Sequence, residues 1–260
     1  MRITAFSTGT LRVKPTFLEG SPNHGGPLGL IWAIARDPEF TPALPMWSWI
    51  IETNEERILI DAGAAPGASG GVTRTRFDIA PNQTLADELA RVGLAPKDFD
   101  RVLLTHLHGD HVGGLDAFDY RRVWVSRAEW APVAHFPGSL MRPMTAPVPR
   151  GFAPNLFDFS GAPVGSFASS YPVTRDGSIV ALPTPGHSPG HTSYLVRRPE
   201  GDVLIAGDVT YDLPALLAQR DQGFIAEVDR HHETLPRVAA LVKSGVSYLP
   251  SHDPLSPGRL

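Results

Sequence analysis

The chain has 260 residues, 42% hydrophobic and 19% charged, enough to enclose a sizeable core and too apolar for a disordered chain. A formal net charge of −4 with no run of Lys or Arg leaves no electrostatic footprint for nucleic acid or an anionic membrane. Cysteine is absent, which excludes disulfides and thiolate metal sites, so any metal must take nitrogen and oxygen ligands.

The opening stretch MRITAFSTGTLRVKP has no apolar leader segment, and the longest apolar run, LGLIWAIA at 28–35, is too short to span a bilayer. A soluble, cytoplasmic protein is expected. Residues 14–46, rich in Pro and Gly and studded with large apolar side chains, read as a loop insertion that packs over something. WIIETNEERILIDAG (49–63) follows, two apolar strands around a polar turn, the pattern of a β-hairpin. TLADELARVG predicts a helix with Thr84 as N-cap, Asp87 three residues on, Leu85, Leu89 and Val92 on one face, and Gly93 as the stop.

DRVLLT (100–105) and RVWVS (122–126) read as short buried strands, so the intervening THLHGDHVGG lies at a strand's carboxyl end, where α/β architectures place their chemistry. A second loop insertion is expected over 131–165. SIVAL (178–182) and VSYLP (246–250) read as strands, and 229–243 as a helix in which Pro236 predicts a kink or a late start. SYLVRRPEGDVLIAGD (193–208) repeats the pattern of the first hairpin, which suggests two related β-rich halves.

His106, His108, Asp110 and His111 fall within six positions, more imidazole and carboxylate than a core loop needs without a cation. In an extended run His106 and His108 point the same way and can chelate one ion. Asp110 and His111, in the turn entering the next helix, would face a second, with Gly113 and Gly114 letting the backbone turn tightly. Further ligands must come from elsewhere. His187 and His191 in TPGHSPGH are both candidates, as is His252 in LPSHDP; His231 and His232 read as solvated on a polar helix face, and His24 and His135 as loop residues able to line a pocket.

HLHGDH, TPGHSPGH, AGDVTY and SHD, in that order, resemble the metallo-β-lactamase-fold hydrolases over nearly the whole chain. The resemblance implies an αββα sandwich of two pseudo-repeated halves, with residues 1–260 as a single domain, and two divalent metal ions per chain. It implies that His106, His108 and His187 hold one ion, that Asp110, His111 and His252 hold the other, and that Asp208 bridges them. His191 then has a supporting role, and Asp61, at the end of the first hairpin, would orient a ligand imidazole. Zinc is expected first, with iron, cobalt or manganese also suited to these ligands.

Within the family, LPMWSWIIETNEERILIDAG, SRAEW and Tyr211, three residues beyond Asp208, are most similar to the N-acyl homoserine lactonases, the quorum-quenching enzymes. That likeness implies a small-molecule lactone or ester substrate. A hydroxide shared by the two ions would attack the lactone carbonyl, Tyr211 would stabilise the oxyanion, and Asp110 would pass a proton to the leaving alkoxide. The two insertions would shape an acyl pocket, with Trp32, Met46, Trp47, Phe136, Met141 and Met144 as candidates, or serve as contacts of a homodimer. The alternatives are a metal-dependent esterase, thioesterase or phosphoester hydrolase of the same fold and, more distantly, a non-catalytic metal-stabilised binding protein. A β-lactamase would lack the bridging Asp208, and an RNA-processing relative would need a basic arm that this charge balance does not supply.

Overall fold

The computed structural model describes residues 1–19, 27–135 and 147–260. His24, Phe136, Met141 and Met144 lie outside them. Strand β1 (Arg2–Arg12) leads to helices α1 (Pro15–Leu18) and α2 (Pro27–Arg36), strands β2 (Leu44–Glu52), β3 (Arg57–Ile60) and β4 (Arg76–Asp78), helix α3 (Leu85–Arg91) and β5 (Arg101–Leu103). Next come α4 (Gly109–Val112), β6 (Val123–Ser126), α5 (Arg127–Ala134) and β7 (Asn155–Phe157). The remainder comprises β8 (Tyr171–Pro172), β9 (Ile179–Pro183), β10 (Thr192–Val196), β11 (Val203–Gly207), α6 (Leu213–Leu217), α7 (Val228–Lys243) and β12 (Ser247–Pro250).

The chain divides into two compact units. The first comprises Met1–Thr10, Pro45–Ala68 and Phe77–Asp158, and the second Leu11–Leu44, Ser69–Arg76 and Phe159–Leu260. A seven-stranded sheet in the order β4-β1-β2-β3-β5-β6-β7 carries the first unit. Its expected hairpin is present, with β2 and β3 antiparallel from Trp49 opposite Ile60 to Glu52 opposite Arg57. β5 then runs parallel to β3, and β6 and β7 continue in parallel. α3 starts as its sequence predicts: Asp87 N–H donates to the Thr84 hydroxyl while the Asp87 carboxylate accepts from Thr84 N–H, a capping box worth about 1 kcal/mol. Its buried Leu85 and Leu89 join Leu59, Val102, Leu104, Leu115 and Val123 in this unit's core.

The second unit is built on a five-stranded sheet in the order β12-β11-β10-β9-β8. β10 and β11 form the second expected hairpin, from Tyr194 opposite Ile205 to Val196 opposite Val203, and β12 runs parallel to β11. Each unit thus uses a hairpin whose second strand pairs in parallel with a later strand, after a crossover containing α3 in one case and α6 and α7 in the other. The repeat suggested by the two hairpins extends to their topology. Every residue of β10 and β11 is buried, the continuous apolar signature of strands covered on both faces.

Four expectations need correction. Residues 14–46 are not a plain loop, because they hold α1, α2 and the start of β2; prolines fit the first turn of a helix, so Pro15 opens one instead of breaking it. Residues 131–165 likewise contain the end of α5 and all of β7. α7 begins at Val228, well ahead of Pro236, so the proline does not delay the helix. His231 opens its buried stripe, ahead of Thr234, Leu235, Val238, Ala239 and Leu241, and is 1% exposed, so it is not solvated. His232, on the other face, is exposed and pairs with Asp221 at 2.7 Å. Met46 is buried in the core, whereas Trp32 is 59% exposed beneath the Arg36 guanidinium. No helix among the described residues is long and apolar enough to cross a membrane.

Candidate metal centre

In the first unit the chain leaves β5 through the buried residues Leu104 to Leu107. Asp61, just past β3, holds a left-handed backbone conformation (φ 60°) and directs its carboxylate at this segment. Thr105 N–H donates to Asp61 Oδ1 and the Thr105 hydroxyl to Oδ2, both at 2.8 Å, and His111 Nδ1 lies 2.8 Å from the same Oδ2. A carboxylate only accepts, so His111 carries its proton on Nδ1 and offers the lone pair of Nε2. Thr105 spends its hydroxyl proton on Asp61, which makes it the acceptor for His106 Nδ1 at 3.0 Å and leaves His106 Nε2 unprotonated. Both tautomers are set by one aspartate and one threonine.

The imidazoles converge as expected. The His106 ring centroid lies 4.5 Å from that of His108 and 4.0 Å from that of His111. Donor atoms of His106 and His108 lie within 4.8 Å of one another, as do those of Asp110 and His111. His108 is the N-cap residue of α4, whose first turn carries Asp110 and His111. Leu107 N–H, between His106 and His108, donates to the buried Glu129 carboxylate of α5 at 3.1 Å. Gly113 and Gly114 serve a purpose other than the tight turn expected of them: their φ angles, −65° and −90°, suit any residue. What they permit is close approach. A Cβ on Gly113 would lie 2.0 Å from Ala65 N, in a strip where Gly113 N–H donates to Gly63 O and Gly114 N–H to Ala62 O.

In the second unit Asp208 follows β11 and His252 follows β12. Asp208 Oδ2 lies 3.2 Å from His252 Nε2 and 3.5 Å from His187 Nε2, with all three side chains buried. Asp208 N–H donates to His191 Nε2 at 3.0 Å, so His191 supports the aspartate by hydrogen bonding, in keeping with the supporting role expected of it. The Tyr211 ring lies 5.6 Å from the His252 ring at an interplanar angle of 32°. Gln222 Nε2 donates to the carbonyls of Asp208 and Val209. The His252 loop is fastened from its carboxyl side: the Ser256 hydroxyl donates to Pro250 O at 2.8 Å, and Arg259 pairs with Asp253 at 2.8 Å.

These donor sets fit divalent cations. Imidazoles and carboxylates, mostly buried and close together, are the ligands that zinc, iron, cobalt and manganese take. Of the remaining histidines, His135 is exposed at the end of α5, and His231 and His232 stand on α7. Sequence reasoning missed Thr105, Glu129, Thr184, Ser193 and Gln222. Thr105, Glu129, Thr184 and Ser193 stand within the quoted THLHGDHVGG, SRAEW, TPGHSPGH and SYLVRRPEGDVLIAGD, so their positions carried a signal; Gln222, in a loop, carried none.

The family model described as the metallo-beta-lactamase superfamily matches residues 41–244. An N-acyl homoserine lactonase from a Bacillus species is 32% identical over 178 residues, covering 65% of this chain and 65% of that protein, just under two thirds of the relative's length. Among solved structures, an N-acyl homoserine lactone hydrolase with the product N-hexanoyl-L-homoserine bound at its catalytic metal center superposes with a TM-score of 0.77 at 20% identity, covering 99% of this chain and 95% of that one. A dizinc quorum-quenching lactonase in complex with a product gives a TM-score of 0.64 at 14% identity, over 97% and 87% of the two chains. Motif order, twin sheets and family match agree: the chain belongs to the metallo-beta-lactamase superfamily.

Proposed function

We propose that this protein is a binuclear metal-dependent hydrolase that opens the lactone ring of N-acyl homoserine lactones or similar lactones. In this reading residues 1–260 act as one domain. His106, His108 and His187 would hold one divalent ion, Asp110, His111 and His252 the other, and Asp208 would be shared between them, with zinc as the first candidate. The observation that carries the reading is the position of Asp208 Oδ2, within 3.2 Å of His252 Nε2 and 3.5 Å of His187 Nε2. One carboxylate oxygen flanked by imidazoles assigned to different ions is what a bridging ligand requires. The lactonase relative supports the substrate class.

Bound there, the two cations supply a water of lowered pKa and a positive charge that polarises the carbonyl. The chain's own groups do the rest. Asp61 and Thr105 keep the Nε2 lone pairs of His106 and His111 aimed outward. Tyr211, placed beside His252, donates its hydroxyl to the carbonyl oxygen as negative charge builds there. Asp110, partly buried, accepts the proton released when water adds to the acyl carbon and delivers it to the ring oxygen as the C–O bond breaks, giving the N-acyl homoserine carboxylate.

The test is acid release from a homoserine lactone series, beside a thioester and a phosphate triester, using metal-stripped and metal-reconstituted protein with elemental analysis. Two ions per chain and metal-dependent acid release from the lactones are expected. One ion at full activity would refute the binuclear reading, and turnover confined to the thioester or the triester would move the protein to another reaction of this fold.

A further inference from the structure

We infer that His191 is a positioning residue for Asp208, acting on its backbone through a one-way hydrogen-bond relay; the inference rests on the reading of Asp208 as a metal ligand. β11 pairs with β10 as far as Ile205, its register against β12 slips between Ile205 and Gly207, and Gly207 takes a left-handed conformation at φ 60°. On the β12 side Ser251 N–H still donates to Gly207 O at 3.0 Å, but pairing with β10 has ended here, where the chain turns away to present Asp208.

Side chains take over at this point. Asp208 N–H donates to His191 Nε2 at 3.0 Å, which places the ring proton of His191 on Nδ1. Nδ1–H donates to Thr184 Oγ1 at 2.9 Å, the Thr184 hydroxyl donates to Ser193 Oγ at 2.9 Å, and the Ser193 hydroxyl donates to Ala206 O at 3.0 Å. The direction is fixed at both ends, because a peptide N–H can only donate and a carbonyl can only accept. Thr184, His191 and Ser193 are each at most 1% exposed, so water does not compete for these bonds. The relay starts on Asp208 and returns to Ala206, gripping the tripeptide Ala206–Gly207–Asp208 at its two ends from β10 and the segment after β9. It also gives a reason why His187 and not His191 serves as the ligand in TPGHSPGH: His191 Nε2 is committed to a backbone donor.

Two substitutions separate positioning from packing. His191→Gln can place an oxygen near the position of Nε2 and accept from Asp208 N–H; His191→Asn is too short to reach it. Zinc affinity would be measured by chelator competition on metal-stripped wild type, both His191 variants, Thr184→Val, Thr184→Ser and Asp208→Asn, at a temperature where circular dichroism shows each to be folded. His191→Asn should bind zinc about 10–100-fold more weakly, the usual cost of losing a group that orients a metal ligand. His191→Gln should recover most of that loss. Thr184→Val, which keeps the imidazole and should fold even if His191 variants do not, should weaken binding in the same direction, and Thr184→Ser should restore it. Wild-type affinity in His191→Asn and Thr184→Val, with only the melting temperature lowered, would reduce the relay to packing and overturn the inference while Asp208→Asn still binds poorly. Undiminished affinity in Asp208→Asn would instead overturn the ligand reading itself, and the inference with it.

Discussion

Replacing Asp61 by Asn tests whether one carboxylate sets the protonation of two metal ligands. Shape is nearly unchanged, and Asn tolerates the left-handed backbone that Asp61 adopts at φ 60°. Thr105 N–H donates to Oδ1 and needs an oxygen there, so the amide nitrogen of Asn must occupy the Oδ2 position, 2.8 Å from His111 Nδ1 and 2.8 Å from the Thr105 hydroxyl. That nitrogen is a donor. His111 Nδ1 must then accept, which moves its proton to Nε2, the atom proposed to bind metal. Thr105 Oγ1, now an acceptor from the amide, turns its own proton toward His106 Nδ1, 3.0 Å away, and reverses that tautomer too. The bonds are equal in number but lose the charge of the carboxylate, so the metal-free protein should lose only about 1–2 kcal/mol in urea unfolding. Zinc affinity should fall far more, about 10–100-fold by chelator competition. An Asn variant that binds zinc as tightly as wild type would refute the tautomer argument, and one that cannot fold without metal would show that Asp61 chiefly holds β3 to the loop after β5.

Tyr211→Phe should leave metal content unchanged and lower kcat for lactones by roughly tenfold to a thousandfold, the span for one oxyanion donor, with little change in KM; wild-type kcat would reduce Tyr211 to packing against His252. Gly113→Ala should be poorly folded or lose metal despite a permissive φ of −65°, since its methyl would meet Ala65 N at 2.0 Å; soluble protein with a wild-type melting temperature would contradict the close approach. Burial lowers the pKa of His231 from 6.5 to about 4, and its Nε2 makes no hydrogen bond among the described residues. The unfolded chain therefore binds the extra proton first. Stability should be intact above pH 6.5 and fall by up to about 3 kcal/mol as pH drops toward 4, and His231→Leu should flatten that dependence in urea titrations; an equal slope in both proteins would count against it.

Much of the metal centre was legible because its residues are concentrated. HLHGDH follows an apolar strand, and TPGHSPGH and SHD follow two others, so strand ends mark the candidate site in the sequence. Asp61 was legible as the acid ending a hairpin. The relay through Thr184 and Ser193 was not, since nothing in a hydroxyl's identity tells which way its proton points; that depends on a backbone N–H and a carbonyl brought together by the sheet. His231 was misread because its neighbours in VDRHHETLPR are polar, while the helical period turns it to the same side as Leu235 and Val238. The prolines of 14–46 misled for a related reason: composition signals a breaker, but position decides whether a proline ends a helix or begins one.

The fastening of the His252 loop by Ser256 and Arg259 bears on how the protein is made. A ribosome delivers HLHGDH before Asp208 and Asp208 before His252, and two of the contacts that secure the loop carrying His252 come from residues translated after it, Ser256 and Arg259. A growing chain therefore holds His106 and His108, the proposed chelating pair, before the other proposed donors are made. In the proposed centre, an ion captured during synthesis would be chosen by what the surroundings offer, so protein produced in zinc-rich and in manganese-rich media should emerge with different metal contents from the same sequence.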